Sequence, residues 1–293
     1  MANLKDIKTR IGSVKKTKQI TSAMKLVAGA KLKRATDRAA AAQPYQEQLS
    51  EVLKRVAATA GSDANEPLLE SHDSVNTILI VVVTSDRGLC GAFNNTLLRR
   101  MVYFIETKRK EGATVELAVF GRKGVGYLEH RGFDCADNTV NWTNIQKMDL
   151  VRPISDKMVG GFVDHKYDEV FIASNDFVSV LVQEPNFAKI LPLQVDTGND
   201  AVDTAPTAGG EYRYEPNPGE ILGALLPLYI RTLVLQKFLE SEAGEHAARM
   251  AAMDNATRNA SDLIDSLTLD YNRARQAAIT TELIEIVSGA AAL

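Results

Sequence analysis

The sequence predicts an α/β protein: a long antiparallel coiled coil of the N- and C-terminal helices plus a Rossmann-like α/β domain of mixed sheet. Three observations predict it. Both ends of the chain carry apolar residues at alternating steps of three and four, the rhythm of a coiled-coil seam. The middle changes to short β-branched runs separated by helical stretches, the rhythm of a sheet with crossover helices. Aromatic residues make up only 6% of the 293, low for a large globular core and usual for long helices.

The first element is a helix over residues 1–60. From Leu4 to about Thr59 the only glycines are Gly12 and Gly29, and the only proline is Pro44. Leu4, Ile7, Ile11 and Val14 open an apolar stripe. Ile20, Met24 and Val27 continue it if the phase slips around Lys16–Lys18, and Leu49, Leu53 and Val56 restore it after an alanine-rich middle. A bend is expected at Gln43–Pro44, because proline disfavours helical geometry in the residue before it. Residues 1–38 also hold eleven Lys and Arg against two acids, +9 in a chain whose formal net charge is −3. Such a block calls for an anionic counterpart: nucleic acid, acidic lipid or an acidic protein surface.

Gly61–Asn76 reads as a polar linker. An α/β foot domain is expected over 75–195. Thr77–Thr84 has the composition of a strand buried on both faces. Helix is expected over Gly91–Glu111, Arg122–Arg131 and Ile154–Val163, and strand over Ala113–Phe120 and Glu169–Ser174. Val178–Gln183 with Ala188–Pro192 reads as a hairpin, and Asp196–Pro218 as an acidic loop. The last element, within 216–293, is a helix with no proline after Pro227. Met250, Met253, Thr257, Ala260, Ile264, Leu267, Tyr271, Ala274, Ala278 and Thr281 form its seam. At 1.5 Å per residue, Pro218 to Gly289 would measure roughly 100 Å. A helix that long needs a partner, and the N-terminal stripe supplies one. Its end, IVSGAAAL, carries no charged side chain, which suits a tip enclosed by another protein better than a frayed terminus.

The inventory for chemistry is poor. TSDRGLCGAFNN (Thr84–Asn95) follows a strand and opens a helix, where a phosphate loop would lie. It lacks the GxGxxG spacing, and no GxxxxGK[ST] occurs. Gly88 and Gly91 are more simply a tight turn, with Asp86 or Asn94 holding backbone donors. FGRKGVGY is a second turn after a strand. His72, His130, His165 and His246 show no metal-ligand spacing. Asp168–Glu169 and Glu282/Glu285 read as solvated faces. Cys90 and Cys135 read as reduced thiols. No apolar run reaches membrane-spanning length, and the basic start has no signal-peptide pattern.

Four segments together resemble one family. IKTRIGSVKKTKQITSAMKLVAGAKLKRA, SDRGLCGAFN, ARMAAMDNATRNA and ITTELIEIVSGAAA, in that order, resemble the gamma subunit of bacterial F-type ATP synthases. The resemblance implies a central rotor shaft without a catalytic site, cofactor or metal of its own. Its implied partners are three alpha and three beta subunits around the coiled coil, with the epsilon subunit and the membrane c ring at the foot. It implies a peripheral place on the cytoplasmic face of the cell membrane, reached through the complex only. Met24, in ITSAMK, matches a position near an acidic loop of beta, and Arg249, in AARM, one described as opposite it. Arg275 and Gln276, in NRARQA, match the pair that engages a beta catch loop. Thr280 and Glu282, in ITTE, match coupling positions near the tip. Cys90 matches a structural cysteine. The competing reading is a basic coiled-coil protein that tracks nucleic-acid phosphates. It leaves the uncharged tip unexplained.

Overall fold

A computed structural model describes residues 4–60, 66–72, 74–135, 137–194, 214–215 and 217–291. The elements are α1 (Leu4–Ala60), β1 (Thr77–Val83), α2 (Phe93–Lys110), β2 (Thr114–Phe120), α3 (Arg122–Glu129) and β3 (Asp137–Thr139). A 3₁₀ turn (Trp142–Asn144), α4 (Lys147–Val163), β4 (Glu169–Phe177), β5 (Gln183–Leu191) and α5 (Pro218–Ala291) follow among the described residues. They pack as two compact units. One holds residues 1–30 and 249–293, the other residues 31–248.

The larger unit is organised by β1, TILIVVV, whose residues from Ile78 on are buried on both faces. The strand order is β3-β2-β1-β4-β5. The first four strands run parallel through crossover helices, and β5 returns antiparallel to β4. Helices α2 and α3 cover one face, where Leu97, Leu98, Met101, Ile105 and Leu128 meet Ile78, Ile80 and Val82. The other face takes Val151, Ile154, Met158 and Phe162 of α4, Leu53 and Val56 of α1, and a stripe of α5. That stripe is Leu222, Leu226, Ile230, Val234 and Phe238, all fully buried.

Several expectations change. Helix α1 runs unbroken through Pro44, and α4 begins seven residues earlier than expected, with Pro153 inside it. Gln146 just before α4 is extended, so the chain enters the helix at Lys147 and simply continues across the proline. The hairpin is β4–β5. Val178–Val182, expected as a strand, is its connecting loop, and β3 is too short to leave a sequence signal. Residues 61–65 and 73 of the expected linker, 196–213 and 216 of the acidic loop, and 292–293 of the tip lie outside the described residues. Helix α5 does contain an 18-residue window apolar enough to cross a membrane, contrary to the sequence reading. The core stripe just named accounts for the apolar character of its first part.

A charged cluster joins β2, β3 and α4. Glu116 accepts hydrogen bonds from Lys157 Nζ (2.8 Å) and Tyr167 Oη (2.7 Å), and Lys166 Nζ lies 3.1 Å away. Burial pushes the Glu116 carboxyl up, but the Lys157, Tyr167 and Lys166 bonds outweigh it and hold the group at about 2. A carboxylate held below its ordinary 4.5 contributes stability that is complete above that pH. The contribution is lost as pH falls from there toward 2. In urea unfolding between pH 6 and pH 3, Glu116→Gln should therefore lose less stability than the parent chain. Parallel losses in the two proteins would refute it.

Candidate functional site

The smaller unit is a two-helix antiparallel coil. On α5, Met253, Ala260 and Leu267 are buried, and Met250, Thr257, Ile264, Tyr271, Ala274 and Ala278 are half-buried; Thr281 is exposed. The expected seam therefore holds as far as Ala278. On α1 the rhythm never slips. Leu4, Ile7, Ile11, Val14, Lys18, Thr21, Lys25 and Ala28 keep steps of three and four, all buried or half-buried. Ile20 and Val27, expected in the seam, are 59% and 58% exposed. A strict seven-residue repeat overrides residue type here because the pairing is polar. Lys18 Nζ donates to Ser261 Oγ (3.0 Å), Thr257 Oγ1 to Thr21 Oγ1 (2.8 Å), and Lys25 Nζ to Asp254 Oδ1 (2.6 Å). Their stems cover the seam while their tips find partners.

These pairs set the register, in which Leu4 stands level with about Arg275. Ile279, Leu283, Ile284, Ile286 and Val287 lie beyond that level and are exposed. Of the six residues implied by resemblance, Arg275, Gln276, Thr280 and Glu282 are exposed, with the Thr280 hydroxyl donating to Gln276 O at 2.9 Å. Met24 and Arg249 are half-buried. They are not directly opposite: the register separates them by about six residues, roughly 9 Å along the axis. Of the eleven cations in residues 1–38, nine are exposed and two, Lys18 and Lys25, serve the seam.

The turn after β1 is fixed by its own side chains. Asp86 Oδ1 accepts the N–H of Arg122 (3.1 Å) and of Asn141 (2.7 Å), so one carboxylate anchors the segments after β1, β2 and β3. Asn94 Oδ1 accepts Ser85 N–H (3.0 Å), its Nδ2 donates to Ser85 Oγ (2.7 Å), and buried Cys90 Sγ lies 3.3 Å from the same nitrogen. Thr84 donates to Phe120 O, receives Gly124 N–H, and gives its carbonyl to Trp142 Nε1–H (2.8 Å). Gly121 is obligatory there: its φ is +102°, and a Cβ would come within 2.2 Å of Thr84 O.

One cluster is invisible to sequence reading. His72 Nδ1 lies 2.9 Å from Asp168 Oδ1, and Asp168 Oδ2 accepts the N–H of Asn76 and Thr77 at 2.8 Å each. The His72 ring stacks on Phe162 at 4.6 Å and meets His165 at 4.4 Å. Burial raises the Asp168 carboxyl, but the bonds from Thr77, His72 and Asn76 bring it below its ordinary value. Asp168 and Glu169, expected on a solvated face, are therefore mostly buried, at 12% and 13% side-chain exposure. The two histidines are 93 positions apart in the chain, so only the fold could join them. Among the described residues no group of three His, Cys, Asp or Glu could hold a metal ion.

Comparison with known proteins gives a consistent result. A family profile described as ATP synthase matches residues 3–293. The chain is 46% identical to the ATP synthase gamma chain of Geobacter sp. (strain M21), covering 99% of this chain and 98% of that one. It is 44% identical to that of Hyphomonas neptunium, with 100% of both covered. Its fold is similar to a chain of the central stalk and c-ring of Tetrahymena thermophila mitochondrial ATP synthase. There the TM-score is 0.57 at 25% identity, over 81% of this chain and 99% of that one. A chain of the Euglena gracilis mitochondrial ATP synthase aligns with a TM-score of 0.66 at 19% identity, over 99% and 94% of the two, and shares the fold.

Proposed function

The chain belongs to the ATP synthase gamma-chain family, and we infer from this that it is the central rotor shaft of an F-type ATP synthase. In that role it couples proton flow through the membrane c ring to ATP synthesis, or the reverse hydrolysis, at a ring of three alpha and three beta subunits. The full-length family match carries this reading and leaves the nucleic-acid alternative without support.

The geometry supports the assignment of parts. The two-helix unit, with the helices of 1–60 and 216–293, would turn inside the alpha/beta ring. The exposed end of α5 past Ala278 would be its enclosed tip. The foot, 75–195, would carry the epsilon subunit and rest on the c ring. The shaft would have no catalytic site, cofactor or metal of its own, and would sit on the cytoplasmic face of the bacterial membrane only through the complex. Exposed cations on α1 suit such a bearing, because solvated pairs worth about 0–1 kcal/mol form and break without trapping the rotor. Met24, Arg249, Arg275, Gln276, Thr280 and Glu282 are the proposed rotor–stator contacts.

Met24→Lys tests this. A new cation against an acidic stator loop adds a charge-assisted pair of roughly 1.5–3 kcal/mol. In membrane vesicles holding the assembled complex, fewer protons should be pumped per ATP hydrolysed. An unchanged ratio would remove Met24 from the contact set. Failure of the chain to assemble with alpha and beta subunits into an ATP-hydrolysing complex would overturn the rotor assignment itself.

A further inference from the structure

The foot contains a cleft whose lining includes none of the proposed rotor–stator contacts. It lies outside the carboxyl ends of β1 and β2, between the turn that opens α2 and the start of α3, with a volume of about 450 Å³. Its walls include Gly88, Gly91, Asn94, Asn95, Arg122 and Lys123. In an open α/β sheet of order β3-β2-β1-β4, this end of the parallel strands is where ligands are held. The geometry points to a binding site for a phosphate group, supplied by inorganic phosphate or by the phosphates of a nucleotide.

Charge is the first reason. Arg122 and Lys123 are the only charged side chains in the lining. The nearest acid on the turn, Asp86, is bound to the backbone N–H of Arg122 and Asn141 and takes no part in the lining. Lys123 has no acidic partner among the described residues, and its Cε lies 3.5 Å from where a Cβ on Gly88 would stand. The lysine stem thus lies along the glycine turn and brings its ammonium to the cleft. Arg122 is held at its guanidinium by Asn141 Oδ1 (3.2 Å), leaving further N–H donors of its fork for a ligand.

Space and backbone are the second. Helix α2 begins without a side-chain cap bond, and Asn94 and Asn95 of its first turn lie in the wall. Two neighbouring cations and the start of an eighteen-residue helix that carries no side-chain cap bond therefore converge on one concave space. Lysine and arginine at the end of β2 stand where a dinucleotide site that prefers an unphosphorylated ribose carries an acid. That bias selects phosphate over a bare sugar hydroxyl.

The full chain, purified, should be titrated calorimetrically at constant ionic strength with inorganic phosphate and, separately, with ADP. The expected result is one saturable site that weakens by about tenfold or more in Lys123→Gln and in Arg122→Gln. Binding should survive in Lys123→Arg, and in Lys8→Gln, which alters the basic helix instead. Backbone amide shifts should centre on Gly88, Gly91 and Asn95. ADP binding about tenfold tighter than phosphate identifies a nucleotide as the source, while equal affinities identify the free anion. Absence of saturation by about 10 mM phosphate and ADP, or equal binding by the parent and Lys123→Gln chains, would overturn the site. Unchanged thermal unfolding of the variants separates lost binding from lost folding.

Discussion

Phe238→Ala will lower folding stability by about 3–5 kcal/mol. The ring is fully buried on α5 and lies edge-to-face with Phe120 (4.9 Å) and Trp142 (5.3 Å). Each such pair adds about 0.5–1.5 kcal/mol beyond burial. The space cannot close by relaxation, because Trp142 is pinned by its indole bond to Thr84 O and Phe120 ends a strand in register with β1. Urea unfolding measures the loss directly, and Phe238→Leu, which refills most of the volume, should recover part of it. A loss below about 1 kcal/mol would show that the three rings are not packed as a unit.

Glu242→Ala should cost a similar amount, about 3–5 kcal/mol, for a different reason. Glu242 Oε1 accepts from Arg38 Nη2 at 2.9 Å, and its Oε2 lies 3.3 Å from Lys147 Nζ. The arginine is half exposed and can turn to water. Lys147 is 10% exposed and cannot. Burial already pushes the Lys147 ammonium below its ordinary range, and Glu242 is the leading group that pulls it back, with Glu245 a lesser one. Removing Glu242 strands the charge, so the folded state then favours neutral lysine more strongly than the unfolded chain does. The variant should bind fewer protons folded than unfolded, and its stability should rise with pH. The gap to the parent chain should be widest near neutrality and narrow as the solution becomes alkaline. Glu242→Leu with Lys147→Met removes both charges and should restore most of the loss. A pH-independent gap would mean that packing, not charge, sets the cost.

The sequence was most legible where one physical demand acted alone. Strand β1 had to be apolar on both faces, and TILIVVV says so. The α5 seam was readable to Ala278 because methionine, isoleucine, leucine and alanine mark it. The α1 seam is not legible between Val14 and Ala28 because apolar type and seam position part company there. Lysine and threonine take the inward places by pairing with Asp254, Ser261 and Thr257, while Ile20 and Val27 face outward. No single-helix pattern can foresee that, since the deciding partner lies on another helix. The β4–β5 hairpin was displaced for a similar reason: Val178–Val182 has strand composition, but Ser179 closes the turn by bonding to Leu181 and Val182. At the site, Asp86 and Asn94 were identifiable as backbone anchors from the turn alone. His72 with His165 was not, because their meeting depends on the chain after α4 returning to the start of β1.

The polar pairs of the coil also govern how the protein can be made. Lys18 waits for Ser261 and Lys25 for Asp254, partners 243 and 229 positions later. At the usual pace of translation the first helix spends about 10–50 s without its mate. During that interval a seam lined with leucine and isoleucine throughout would invite pairing with any passing hydrophobic surface. A stretch lined with ammonium and hydroxyl groups is content in water until the right partner leaves the ribosome. The same residues that fix alignment in the finished molecule thus keep a nascent chain soluble.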